Sequence, residues 1–371
     1  MKIAIDALGI HYYGGGRSAT LNLLESLFTI DTQNEYLVIL SEYEPSLNTG
    51  AGNVHQWIAP FKQRIALRLW AQALFPFVLR SYDLVHFMKN LGVFFIPTKT
   101  VVTVYDLTTL IYPFLFPRTD VLYWKYIEPK TLHKADKIIA ISQNTAKDIE
   151  HFYHVSPDKM QVIYPAYAPH FKPASLESIA DVKERYALPD EFILHVGRID
   201  RKKNLPLLLK AFYQVRKKRR IQHKLVFVGE EYSKSRDTTL NMLIADLGLR
   251  DAVIFTGPVP DKDVATLFSA ATVAVFCSLH EGFGIVALES MACGTPLIVT
   301  AAGAVREVVG DAAIVLKSDD PVTLANAIEH VLLTADIQQE LSQKGLARAQ
   351  QFSWQRAAHQ TLELYEEIVK C

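Results

Sequence analysis

Cysteine is scarce. Only Cys277, Cys293 and Cys371 occur in 371 residues, and no two form a CxxC pair. This usage points to a reduced, cytosolic protein rather than a disulfide scaffold. Neither charge is in excess: 39 Lys+Arg stand against 39 Asp+Glu. No global field therefore draws the chain to nucleic acid or to an acidic membrane surface. No stretch reaches about 18 uncharged apolar residues, so no transmembrane helix is expected. The opening MKIAIDALGI carries an acid where a signal peptide would have an apolar run, so no signal peptide is expected. Fixed-period repeats and low-complexity segments are absent. So is the GxGxxG of a dinucleotide fingerprint. His11, His86 and His195 do not group with metal-ligand spacing. Asp261-Lys262-Asp263 is formally a DxD, but it opens a predicted helix, where acids favour the dipole. A lone acid pair also gives a hard cation too few ligands.

What is present is an alternation of short β-branched runs with helical stretches, twice over, which signals parallel sheets with crossover helices. In the first half, residues 3–7, 36–40, 84–87, 101–104, 138–141 and 158–163 read as strands, with helices over 17–29 and 121–135. Residues 164–190 hold four prolines and read as a linker with a short helix. A second series follows, with strands at 192–196, 225–228, 253–255, 273–276, 297–299 and 313–315. Helices lie between them, near 204–218, 237–247, 261–270, 284–293 and 320–334. Ser353 reads as the N-cap of a final helix. The expected domains are residues 1–170 and 171–352, with 353–371 packing back on the first.

Four loops carry candidate chemistry. Gly14-Gly15-Gly16 precede Arg17 and the helical run ATLNLLESL. They make either a flexible turn or a cradle that brings an anion to a helix N-terminus. HVGRIDRKKN (195–204) follows a strand, and Arg198 and Lys203 there suit a diphosphate. The alternative is a solvated basic loop. EGFGIVALE (281–289) places Glu281 in a loop, glycines 282 and 284 beside it, and Glu289 in the next helix. Glu281 can accept hydrogen bonds from sugar hydroxyls and Glu289 from a ribose, or both can simply favour a helix start. Tyr105 and Asp106 end a first-half strand, a fitting place for sugar contacts, although Asp106 could equally cap the following turn.

Glu281 and Glu289 do not read as a glycosidase pair. Such carboxylates stand roughly 5–9.5 Å apart, whereas eight residues of mostly helical path span about 12 Å. Arg216 to Arg220 reads as dipole compensation at a helix end. Residues 61–80 mix Arg, Trp and Phe at helical spacing and could lie on a membrane surface. A sheet-covering helix interrupted at Pro76 is the favoured reading.

Taken together, these motifs resemble a retaining glycosyltransferase of family four (GT4) with the GT-B fold: α/β, two Rossmann-like doubly wound domains facing across a cleft. Glu281 and Glu289 match its E-x7-E motif, Arg198 and Lys203 its phosphate-binding VGR…KN pair, and Gly14 to Gly16 its first loop. GIVALESMACGTPLIVT matches the helix and strand that follow. The likeness covers nearly the whole chain. It implies a sugar nucleotide as co-substrate, retention at the anomeric carbon, and no metal or other cofactor. Carried over residue by residue, Arg198 and Lys203 bind the diphosphate, Glu281 with the N–H groups of Phe283 and Gly284 holds the sugar, and Glu289 holds the ribose. Thr256 to Val259 line the base, and Gly15 and Gly16 complete the donor contacts. Arg17 and Tyr105 fall on the acceptor side. Many relatives carry His where this chain has Tyr105, and Tyr hardly ionises near neutral pH; Asp106 is the matching residue that survives. YDLTTLIYP resembles the form common in bacterial mannosyl- and rhamnosyltransferases of surface polysaccharides. Hence GDP-mannose is the favoured donor and a glycan or lipid-linked molecule the expected acceptor. The protein is expected in the cytoplasm, with peripheral contact at the inner membrane and no nucleic-acid partner. An epimerase or UDP-sugar enzyme on the same fold, and a non-catalytic nucleotide-sugar or polysaccharide-binding protein, are the alternatives.

Overall fold

The computed structural model describes residues 1–8, 15–48, 50, 52–89, 93–219, 221–230 and 238–370, without the side chains of residues 64, 65 and 238. Gly14, His11 and Arg220 lie outside the described residues. The chain divides into two compact units, Met1–Ala166 with Phe352–Cys371, and Tyr167–Gln351.

The first unit is built on seven strands: β1 (Lys2–Asp6), β2 (Glu35–Leu40), β3 (Val54–Ile58), β4 (Leu84–Phe87), β5 (Lys99–Val104), β6 (Lys137–Ala140) and β7 (Met160–Val162). They form one parallel sheet in the order β3-β2-β1-β4-β5-β6-β7. The second unit carries β8 (Phe192–Val196), β9 (Lys224–Val228), β10 (Val253–Gly257), β11 (Val273–Phe276), β12 (Leu297–Thr300) and β13 (Ile314–Leu316). Its order is β10-β9-β8-β11-β12-β13, again parallel throughout. Central strands such as LVHF in β4 and VAVF in β11 are buried at every position. Helices cover both faces of such a sheet, and its strands therefore read as apolar runs rather than alternations. Both units are Rossmann-like, and the strand order reverses between β1 and β4 and between β8 and β11.

The terminal helix Trp354–Lys370 belongs to the first unit, where it packs on the helix Gly15–Ile30. It buries Trp354, Ala357, Ala358, Thr361, Leu364, Tyr365 and Ile368, one stripe at helical spacing. Tyr365 reaches the sheet itself: its hydroxyl bonds His86 Nδ1, and His86 Nε2 meets Thr103 Oγ1 at 2.8 Å. Burial holds the His86 ring neutral, its pKa lowered to about 3.

Two expectations need correction. Pro76 does not interrupt its helix, which runs Arg64–Val78 through the proline. Pro76 falls in the last turn, where only one hydrogen bond is forfeited. Leu67, Ala71 and Phe75 of this helix enter the core, while Leu69 and Phe77 stay exposed. The predicted helix over 121–135 is two helices, Arg118–Tyr126 and Glu128–Lys134; Pro129 sits in the first turn of the second and needs no partner there. No helix among the described residues is long and apolar enough to cross a membrane.

Candidate functional site

In the second unit, the candidate residues gather at the carboxyl ends of β8, β10 and β11. β8 and β11 are neighbours whose connections leave in opposite directions, the point of an open α/β sheet where ligands generally bind. Arg198 and Lys203 follow β8, Val259 follows β10, and Glu281, Phe283 and Gly284 follow β11. Glu289 lies in the helix Ile285–Ala292.

Local chemistry sets each loop. After β8, Arg201–Lys203 form a single tight turn whose N-cap is Asp200, its carboxylate accepting the Lys203 amide at 3.2 Å. Asn204 then takes a left-handed conformation, φ 51°, and turns the chain into the helix Leu205–Arg219. The two loops are tied together by the Leu279 amide, which donates to the Lys202 carbonyl at 2.8 Å. The Glu281 carbonyl accepts from the Ala304 amide at 2.9 Å. A Cβ on Gly303, which sits at φ +59°, would lie 2.3 Å from that same carbonyl oxygen. Only glycine lets the two stretches of backbone come this close.

The arrangement brings Lys203 and Glu281 into direct contact, Nζ to Oε1 at 2.6 Å, with 17% and 19% of their side chains exposed. Burial pushes the Glu281 carboxyl up. The charges of Lys203 and Lys202 and hydrogen bonds from Lys203 and Ser278 more than offset this, leaving it at about 2. Arg198 stands exposed at the rim of the same loop. Phe283 is buried. Gly284, left-handed, is the N-cap of the helix Ile285–Ala292, whose first amides have no partner within the helix. Burial, with the Asp261 carboxylate adding to it, pushes Glu289 up to about 8. Asp261 opens the helix Asp261–Ala270, two residues after Val259. Asp263, the other acid of the DxD, is held by Arg185 at 2.8 Å and by the Tyr186 hydroxyl at 2.6 Å. Of the basic run, Lys218 pairs with Glu329 at 2.9 Å and Arg219 donates to the same carboxylate at 2.6 Å.

In the first unit, Gly15 and Gly16 open the helix Gly15–Ile30, and Arg17 pairs with Glu44 at 2.5 Å. Tyr105 meets Thr20 Oγ1 at 2.7 Å, and that hydroxyl also donates to the Gly16 carbonyl at 2.9 Å. Burial pushes the Tyr105 phenol up to about 12, against a small opposing effect of Thr20, so it is protonated at any working pH. Asp106 accepts the Thr108 amide at 3.0 Å, capping the next turn.

Sequence reasoning missed several groups. Lys89, after β4, lies over Gly16, where a Cβ would stand 3.4 Å from its Cε. Asp6, at the end of β1, is 2% exposed, and burial pushes its carboxyl to about 7 against one amide bond from Leu8. Lys202 acts on Glu281. Each position depends on contacts across the sheet, and the only sequence signal was placement at a strand's carboxyl end.

Two Rossmann-like domains, each a parallel sheet, are the architecture of the GT-B glycosyltransferases. The known proteins agree. Residues 13–170 match the family described as Glycosyltransferase Family 4, and residues 179–348 the one described as Glycosyl transferases group 1. Between them they span most of the chain, which belongs to this glycosyltransferase family and is therefore a transferase. It is 29% identical over 294 residues to the O-antigen chain mannosyltransferase B of Escherichia coli, covering 78% of this chain and 76% of that one. It is also 29% identical over 281 residues to the serotype-specific mannosyltransferase WbdA of E. coli, covering 74% of this chain but 34% of that protein. In three dimensions it resembles Anabaena HepE, solved with UDP and glucose, at a TM-score of 0.80 and 20% identity over 99% of both chains.

Proposed function

We propose that the protein is a retaining hexosyltransferase that moves mannose from GDP-mannose to a glycan or lipid-linked acceptor in polysaccharide biosynthesis. The Lys203–Glu281 contact outside β8 and β11 carries this reading: it sets a phosphate-binding cation beside a hydroxyl-binding carboxylate, as the junction of a sugar and a diphosphate requires. The mannosyltransferase relatives support the choice of sugar. Arg198 and Lys203 bind the diphosphate, Glu281 with the amides of Phe283 and Gly284 holds the sugar, Glu289 grips the ribose, and Val259 lines the base. Gly15 and Gly16 add backbone contacts to the donor. Arg17 and Tyr105 serve the acceptor, and Asp106 is a catalytic residue with Glu281, Arg198 and Lys203.

In the transfer, the bond from the anomeric carbon to the β-phosphate oxygen breaks and a bond from that carbon to the acceptor oxygen forms. The acceptor enters on the face the phosphate leaves, and its proton passes to the departing phosphate. Arg198, Lys203 and the amide end of the helix Ile285–Ala292 stabilise the charge that develops there, and no metal ion is used. A second reading, a UDP-sugar donor, is favoured by the likeness to HepE, which was solved with UDP-glucose; it keeps the same residues.

A thermal-shift series with GDP, UDP, ADP and dTDP, on wild type and Glu289→Ala, tests the donor. A nucleotide at about 100 times its Kd adds about 2.7 kcal/mol and moves Tm by several degrees. Stabilisation by GDP, lost in the variant, is expected. A preference for UDP overturns the mannose reading, and no shift with any nucleotide overturns the site. Peripheral membrane contact through the exposed Leu69 and Phe77 belongs to the same proposal. Cosedimentation with anionic vesicles should fall at least about threefold in Leu69→Ser/Phe77→Ser; unchanged cosedimentation removes this helix from the membrane contact.

A further inference from the structure

His195 lies near the end of β8, 1% exposed, where the charges of both Lys203 and Glu281 act on its ring. Its Nδ1–H donates to the Val275 carbonyl of β11 at 2.9 Å. Phe227 and Phe276 pack on its ring, with centroids 5.8 and 5.5 Å away. Burial lowers its pKa to about 4, so the ring is neutral. With the one proton of a neutral imidazole spent on Val275, Nε2 presents a bare lone pair, and this atom has no hydrogen-bond partner among the described residues.

The lone pair borders a specific hole. Gly197 has φ +149°, and a Cβ there would stand 3.7 Å from His195 Nε2, 3.8 Å from Lys203 Nζ and 3.3 Å from Lys203 Cε. The unused acceptor and the ammonium therefore flank the same missing side chain. Both charges of the pair are felt at the ring, Lys203 opposing and Glu281 favouring its protonation.

The ion pair poses a problem for catalysis, on the reading that Lys203 takes the donor diphosphate and Glu281 the sugar. Lys203 and Glu281 satisfy each other, so a donor must part them. An ammonium released from a carboxylate into a shielded pocket needs another acceptor to hold its direction. We propose that His195 is a positioning residue for the transfer: its Nε2 accepts a hydrogen bond from the Lys203 ammonium once Glu281 is engaged by the sugar, aiming the remaining N–H groups at the diphosphate. Gly197 is glycine because a Cβ would fill the space the handover needs.

Asn and Gln separate this role from a purely structural one. Asn in place of His195 keeps a donor for the Val275 carbonyl and deletes the Nε2 position; Gln sets its terminal amide oxygen near Nε2. Acetylation of Lys203 by acetic anhydride, followed by mass spectrometry without any nucleotide, reads the handover directly. Glu281→Gln removes the first partner, and Lys203 should stay within about twofold of its wild-type rate because His195 takes it. In Glu281→Gln/His195→Asn the rate should rise about tenfold, the factor carried by a charge-assisted hydrogen bond of modest strength. Glu281→Gln/His195→Gln should return it to the wild-type range. A full rise in Glu281→Gln alone, or protection kept by Asn and lost by Gln, overturns the proposal. Calorimetric titration with GDP and UDP gives the second readout: Kd should weaken about tenfold in His195→Asn and recover in His195→Gln. Wild type that binds neither nucleotide defeats the donor reading, while the acetylation series still decides the role of His195.

Discussion

Replacing Lys203 with Met is expected to cost the second domain about 2–3 kcal/mol at pH 7, below the usual loss for breaking a buried pair because Lys202 remains and Glu281 keeps some solvent contact. The sign follows from linkage. In the wild type the Glu281 carboxyl sits at about 2 against an ordinary 4.5, so its contribution is fully present above pH 4.5 and is lost as the pH falls toward 2. Without Lys203, burial dominates and the carboxyl rises. The gap between wild type and variant should therefore be widest at neutral pH and narrow by pH 3.5. Urea unfolding at both pH values measures it. Adding Glu281→Gln should recover part of the loss, since the unpaired charge is what is costly, whereas two independent contacts would give an additive decrease. A Lys203→Met protein as stable as wild type at pH 7 would show that the contact between Lys203 and Glu281 carries no weight. Turnover should fall in both variants, because each removes a group proposed to touch the donor.

The sequence exposed the parts of this architecture that repeat a local rule. Strands buried on both faces announced themselves as apolar runs, which is why β1, β4, β8 and β11 were legible. β3 was not: VHQWI lies at the sheet edge with no buried residue, so it has neither a run nor an alternation to betray it. The helix Gln143–Tyr153 was missed as well, although Ser142 caps it by accepting the Thr145 amide at 2.9 Å; QNTAKDIEHFY is mostly polar, and Ile149, Phe152 and Tyr153 are its only large apolar residues. In the second domain, Arg198, Lys203, Glu281 and Glu289 could be picked out because each follows a strand that reads clearly. That Lys203 and Glu281 touch could not, since they lie in loops after β8 and β11, separated in sequence by β9 and β10. Nor could the sequence show that His195 spends one nitrogen on β11 and keeps the other bare.

Gly303→Ala should damage the site more than its small volume suggests, and Gly248→Ala supplies the comparison. Both glycines are left-handed, at φ +59° and +65°, so alanine costs either position about 1–2 kcal/mol in backbone strain. At Gly248 nothing stands within 4 Å of an added Cβ, and strain is the whole cost. At Gly303 the Cβ would lie 2.3 Å from the Glu281 carbonyl oxygen and 2.8 Å from His280 Cε1. Neither is the free end of a flexible chain. The oxygen is backbone, fixed by the Ala304 amide, and His280 is buried. Close-packed surroundings cannot absorb this locally, so the Glu281 loop must move by roughly 1 Å, a displacement that can cost about 10²-fold in catalysis. Gly303→Ala is thus expected to lose about 3 kcal/mol of stability and about 10²-fold in donor turnover. Gly248→Ala should lose only the strain and keep its turnover. Equal effects at the two positions would mean that the loop after β11 yields freely, and that the contact between Lys203 and Glu281 is not held in place by the backbone beneath it.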